Sequence, residues 1–140
     1  MDNKLLAFVI VLFIALFLIS FRWGELTQPE VLRRYLAEVS SITEEQLFLI
    51  NTSIKKIESG RLDLARGDIE TVRSIFMGEI RGRIEKIRDP LKEDYEKLKR
   101  AYDEVIKTTN ECLKDLNKIS LLKEKVTEFK RIVDEILRKG

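Results

Sequence analysis

The chain has 140 residues, with 26 basic and 24 acidic side chains and a net charge of +2 at pH 7. So close a balance builds no long-range field for nucleic acid or for strongly acidic partners. It contains no histidine and a single cysteine, which removes the commonest general base and metal ligand and excludes an intrachain disulfide.

The first predicted element is Leu5–Phe21, LLAFVIVLFIALFLISF, apolar at every position except Ser20. A spanning helix needs about 17 to 25 mostly apolar residues, and this run supplies 17. Arg22 extends it by snorkelling, and Trp23 is a typical interfacial aromatic. A cleaved secretory signal has a shorter apolar region, of about 7–15 residues, and an A-x-A-like site after it; this run has neither feature. A buried core helix is a poor fit, because the run is apolar on all faces and the remaining chain is too short to surround it. Residues 1–23 are therefore expected to form an N-terminal transmembrane anchor in the lipid bilayer, and residues 24–140 one helical domain. The run holds no ionisable or amide side chain for an ion path and no G-x-x-x-G pair for close dimerisation, so a passive tether is expected. Lys4 on one side is set against Arg22, Arg33 and Arg34 on the other, which leaves the side of the membrane open.

Thr27-Gln28-Pro29-Glu30 reads as a helix start, with a capping box and proline in the first turn. It predicts a helix over 28–40 with Leu32, Tyr35, Leu36 and Val39 on one face. Ser41 with Glu44 and Thr43 with Gln46 repeat the capping-box spacing and predict a second start. Leu47, Ile50, Ile54 and Ile57 continue as a helical stripe, and Gly60 is placed as its C-terminal stop. Gly60–Asp68, with two glycines and two aspartates, reads as a connector with room for one helical turn inside, and Asp68 as the cap of a helix running to Arg88. That helix shows Ile69, Val72, Phe76, Ile80, Ile84 and Ile87 on one stripe. Gly78 and Gly82 each cost about 1 kcal/mol of helix propensity; either a neighbouring helix approaches closely there, which is the favoured reading, or they mark a weak point where the helix bends.

Asp89-Pro90 is read as N-cap and first helical residue of the last segment. Leu91, Tyr95, Leu98, Tyr102, Val105, Thr109, Cys112, Leu116 and Ile119 then alternate spacings of 4 and 3, and Leu122, Val126, Phe129, Val133 and Ile136 continue the pattern. Two spacings of 3 meet at Ile119. That is a stammer in one long helix over Pro90–Lys139, or a break with Ser120 capping a separate helix. Ile106 and Leu113 widen the stripe beyond a two-residue seam, which favours an intramolecular antiparallel bundle over a parallel coiled coil.

No motif names an enzyme. There is no phosphate-binding G-x-x-x-x-G-K-[ST] loop, no G-x-G-x-x-G, and no Cys/His cluster for zinc or Glu-x-x-His pair for iron. No catalytic, cofactor-binding or metal-binding residue is assigned, no cofactor is expected, and no small-molecule substrate or nucleic acid is indicated. Glu44/Glu45 and Asp103/Glu104 lie off the apolar stripes and read as solvated faces; Glu96 and Arg100 are spaced to pair. Cys112 at a core position reads as a small buried hydrophobe. The basic run Arg81, Arg83, Lys86, Arg88 is interleaved with Glu79, Glu85 and Asp89, so it reads as a solvated face rather than an anion-binding patch. The Lys/Arg/Glu-rich, glutamine-poor composition is the bias of heat-adapted proteins.

The expectation is an all-α protein: one transmembrane helix followed by an antiparallel bundle with a long heptad-patterned C-terminal helix. Its expected role is a single-pass scaffold or interaction protein of the cell membrane, binding a protein partner or itself through its helices. The alternative is an accessory or assembly subunit of a larger membrane complex.

Overall fold

The computed structural model describes the backbone of residues 2–26 and 28–139 and the side chains of 3–17 and 30–139. Among these residues all regular structure is helical: α1 (Asp2–Leu26), α2 (Gln28–Glu58), α3 (Leu62–Ile75), a π-helical turn (Phe76–Ile80), α4 (Arg81–Lys86), α5 (Arg88–Leu91), α6 (Glu93–Lys114), a 3-10 turn (Leu116–Lys118) and α7 (Ile119–Lys139).

The segments after α1 form a four-helix bundle of ring order α2, α3–α4, α6, α7. Each member packs against the two beside it. Cross-helix contacts show that neighbours run antiparallel, because residue numbers fall along one helix as they rise along the next. Lys56 meets Asp68 and Glu38 meets Arg83 across the first pair. Arg73 meets Asn110 and Glu85 meets Tyr95 across the second. Glu111 meets Lys118, Glu104 meets Lys125 and Asp94 meets Lys139 across the third. The expected antiparallel bundle is present, and its core is the stripe read from the sequence. Leu36, Val39, Ile50, Ile69, Val72, Phe76, Ile80, Leu98, Val105, Cys112, Leu122, Val126, Phe129 and Val133 are all essentially inaccessible. Phe76 closes the centre, with its ring 5.4 Å from Phe129 of α7 and 6.4 Å from Tyr102 of α6.

Several boundaries differ from the sequence reading. No helix starts at Ser41, since α2 runs unbroken through it. Thr43 donates to the Val39 carbonyl at 2.6 Å and Gln46 to the Ile42 carbonyl. The side chains that would cap a new helix instead bond back one turn inside an existing one. The stop at Gly60 is as expected. Gly60 has φ +80°, its N–H donates to Ile57 and the N–H of Arg61 to Lys56, which is a Schellman closure. The connector, however, is only Ser59–Arg61. Gly67 and Asp68 lie inside α3, and Asp68 is not a cap: its carboxylate takes Lys56 Nζ at 2.7 Å, with Ser53 Oγ 3.1 Å away.

Asp89-Pro90 does not open the long helix. It belongs to the single turn α5, and the corner is made at Lys92, at φ 54° and ψ −118°, before α6 starts at Glu93. Nor is Pro90–Lys139 one helix. It breaks at Asp115, which is extended and whose carboxylate accepts from the Asn117 N–H at 3.1 Å. Asp115 caps the 3-10 turn that leads into α7, and Ser120 lies inside α7 rather than capping it. Two consecutive spacings of 3 swing an apolar stripe by about 120° around a helix of 3.6 residues per turn. Breaking the chain there lets both halves face one core, with Cys112, Ile119 and Leu122 all buried.

Among the described residues no helix is long and apolar enough to cross a membrane. The expected span Leu5–Phe21 lies partly outside them, because the side chains of residues 18–21 are not described. The side-chain roles read for Arg22, Trp23, Pro29 and the cap at Thr27 lie outside them altogether.

Candidate functional site

Two features stand out from the bundle. The first is α1. Its described apolar side chains, within residues 3–17, are exposed all the way round: Leu5, Phe8, Val11, Leu12, Phe13 and Phe17 have between 50% and 73% of their surface accessible. Among the described residues the first fully enclosed apolar side chain is Leu36 of α2.

The second feature is a groove where α3 passes through the π turn into α4, alongside α6. The local cause is in the sequence. Phe76, Ile80 and Ile84 follow Val72 at three successive spacings of 4. In a regular α-helix three such steps carry a stripe about 120° off the core. A π turn holds more residues per turn and restores the register, so all four remain buried. The wider turn leaves Met77 50% exposed beside α6.

The groove has a volume of about 460 Å³. Met77, Ile84, Tyr102 and Ile106 make its apolar floor, and Arg81, Lys99 and Lys107 stand on its rim with Glu85 and Asp103. Asp103 pairs with Lys99 at 3.4 Å, and Glu85 accepts from the Tyr95 hydroxyl at 2.8 Å. Burial raises the Tyr102 hydroxyl above its ordinary pKa; the neighbouring Arg81 charge opposes this, and Asp103 and Glu85 add to it. A second groove lined by Arg73, Ser74 and Gly78 continues the seam and shares Met77, Ile106 and Asn110 with the first.

The other residues singled out in the sequence are placed as follows. The basic run does not gather into one patch, because residues 81, 83, 86 and 88 fan around the helix. Arg81 faces the α6 groove. Arg83 donates to Glu38 of α2 at 2.9 Å. Lys86 lies over the Tyr35 ring and Arg88 over the Tyr95 ring, at 5.7 and 4.9 Å. Cys112 is fully buried, as read, and burial, with the Asp115 carboxylate, pushes its thiol up to about 11. Glu44 and Glu45 are exposed. Glu104 pairs across the hairpin with Lys125 at 3.7 Å. Glu96 and Arg100 do not reach ion-pair distance; Lys99 and Asp103 fill that spacing instead. Gly78 and Gly82 admit no close neighbour, since a Cβ at either would meet open space; the close-approach reading is corrected. Among the described residues no group of three or more acidic, cysteine or histidine side chains is placed to hold a metal ion.

Sequence reading missed the groove because its walls come from segments about twenty residues apart. The one available signal was the run of fours from Val72 to Ile84. Comparison with protein-family models, curated proteins and solved structures found no match to this chain.

Proposed function

We propose that the chain is a single-pass membrane-anchored helical scaffold, with α1 in the bilayer and the four-helix bundle held beside it to engage a protein partner or a second copy. The observation that carries this is the exposure of residues 3–17 of α1 on every side, with Phe13 at 73% and Ile10 at 50%. Apolar surface left in water costs about 25 cal/mol per Å². A patch of this size marks a membrane or a partner. A partner groove would cover one stripe of the helix, whereas lipid covers all of it, and α1 has no polar stripe between Leu5 and Phe17. The sequence stays apolar from Phe17 to Ile19 and at Phe21, which brings the run to the lower limit of a span.

The test is alkaline carbonate extraction of membranes from cells expressing the full chain. The chain is expected to stay in the pellet and to be released by detergent. The Ile10→Arg/Phe13→Arg double variant is expected in the supernatant, because each arginine near a helix centre opposes insertion by about 2.5–3.5 kcal/mol. Release of the unaltered chain by carbonate alone would remove the anchor.

A further inference from the structure

We infer that the groove between the π turn and α6 is a binding site for a small amphiphilic anion: an apolar body carrying a carboxylate or phosphate head. Its volume of about 460 Å³ lies within the range of about 300–1,000 Å³ usual for small-ligand sites. π turns within α-helices recur at functional positions, and this one builds the floor by presenting Met77. The ligand's apolar body would lie on Met77, Ile106 and Ile84, beside the Tyr102 ring.

The rim selects the sign of the head group. Arg81 and Lys107 have no carboxylate within ion-pair distance among the described residues. Of the groove's own acids, Asp103 is ion-paired with Lys99, whereas Glu85 accepts from the neutral Tyr95 hydroxyl and keeps its charge. Arg81, Lys99 and Lys107 against Glu85 and Asp103 leave the lining with a net charge of +1, which above an apolar floor matches one anionic head on an apolar body. The planar guanidinium of Arg81 can take a carboxylate or phosphate through two parallel hydrogen bonds.

The groove's height indicates the ligand's source, and this step alone rests on the anchor proposed above. Glu38, which receives Arg83, lies ten residues into α2, roughly 15 Å from its start at 1.5 Å per residue. Because α3–α4 runs antiparallel to α2, Met77 and Arg81 lie farther from the start of α2 than Arg83 does, and Ile84 and Glu85 slightly nearer. With α2 taken to rise from the bilayer, a dispersed amphiphile such as a fatty-acid anion would reach the groove, whereas the head group of a bilayer lipid would stand below it.

The chain has two methionines, Met1 and Met77, so ¹³C-methyl methionine labelling places one NMR reporter on the groove floor. The full chain in phosphatidylcholine nanodiscs is titrated with sodium dodecanoate below its micelle concentration. A saturable displacement of the Met77 methyl signal is expected, with dodecyltrimethylammonium binding about tenfold or more weaker. The Arg81→Gln/Lys107→Gln variant, altered only at exposed positions, should keep its circular dichroism and lose about tenfold in dodecanoate affinity. No saturable shift, equal binding of the two amphiphiles, or unchanged affinity in the variant overturns the site. A Met77 shift caused by phosphatidylglycerol discs alone, and abolished in the variant, overturns the dispersed source in favour of bilayer lipid. Failure to enter discs counts against the anchor and not the groove, and the same titration then runs on the lipid-free chain.

Discussion

Cys112 shows how one residue couples its chemistry to the fold. It sits at a buried position of α6, with no second cysteine in the chain to bond. Burial disfavours the thiolate, and the carboxylate of Asp115 adds to that, so the thiol rises from 9.0 to about 11. A pKa raised by folding contributes stability that is complete below the unfolded value and is lost as pH climbs through the folded one. The melting-temperature difference between the unaltered protein and Cys112→Ala is therefore expected to shrink between pH 9 and pH 11. Lysine and tyrosine titrations cancel in that difference. A gap that stays constant across the window would show that the thiol does not feel the core. The same burial predicts slow modification by thiol reagents until the bundle opens.

At the scale of elements, the ends of the helices depend on backbone conformation more than on capping side chains. Gly60 closes α2 at φ +80°, a region costly for any residue with a Cβ. Gly82 lies within α4 with open space where a Cβ would stand. The two glycines should respond oppositely to the same substitution. Gly60→Ala is expected to destabilise by about 1 kcal/mol and Gly82→Ala to stabilise by about 0.5–1 kcal/mol, in denaturant titrations followed by circular dichroism. Shifts of the same sign would mean that one of these two environments is misassigned. Lys92 stands at φ 54° without the freedom of glycine, so the corner between α5 and α6 stores strain that the burial of Ile87, Leu91 and Tyr95 around it offsets.

At the scale of the molecule, the described side chains of α1 stand outside the core of the bundle. The buried cluster draws on α2 through α7 and on no described residue of α1. Most ion pairs on the bundle are exposed, including the Arg131 pairs with Glu128 and Glu135 and the Lys99–Asp103 pair, and such pairs contribute little each. Apolar packing therefore carries the stability. A chain beginning at Gln28 is expected to keep the helical circular-dichroism signal and to melt cooperatively within a few degrees of the full chain. Loss of helicity in that shorter chain would place α1 within the folding unit.

Read alone, the amino-acid sequence determined the helical class, the antiparallel bundle and nearly all of its core. These follow from apolar spacing, and spacing is local information. Leu91 to Cys112 was legible residue by residue, as was the stop at Gly60, because each requires only the periodicity or the backbone freedom of nearby residues. The unbroken α2, the cap at Asp115, the corner at Lys92 and the partners of Asp68 were decided by tertiary structure. A capping sequence such as Ser41–Glu44 can close a helix or lie within one, and the choice falls to whichever arrangement buries Val39, Thr43 and Ile50 against the neighbouring helices. The groove belongs to the same class. Met77 and Ile106 lie 29 positions apart, and only the antiparallel packing of α3–α4 on α6, opened by the π turn, sets them side by side beneath Arg81 and Lys107.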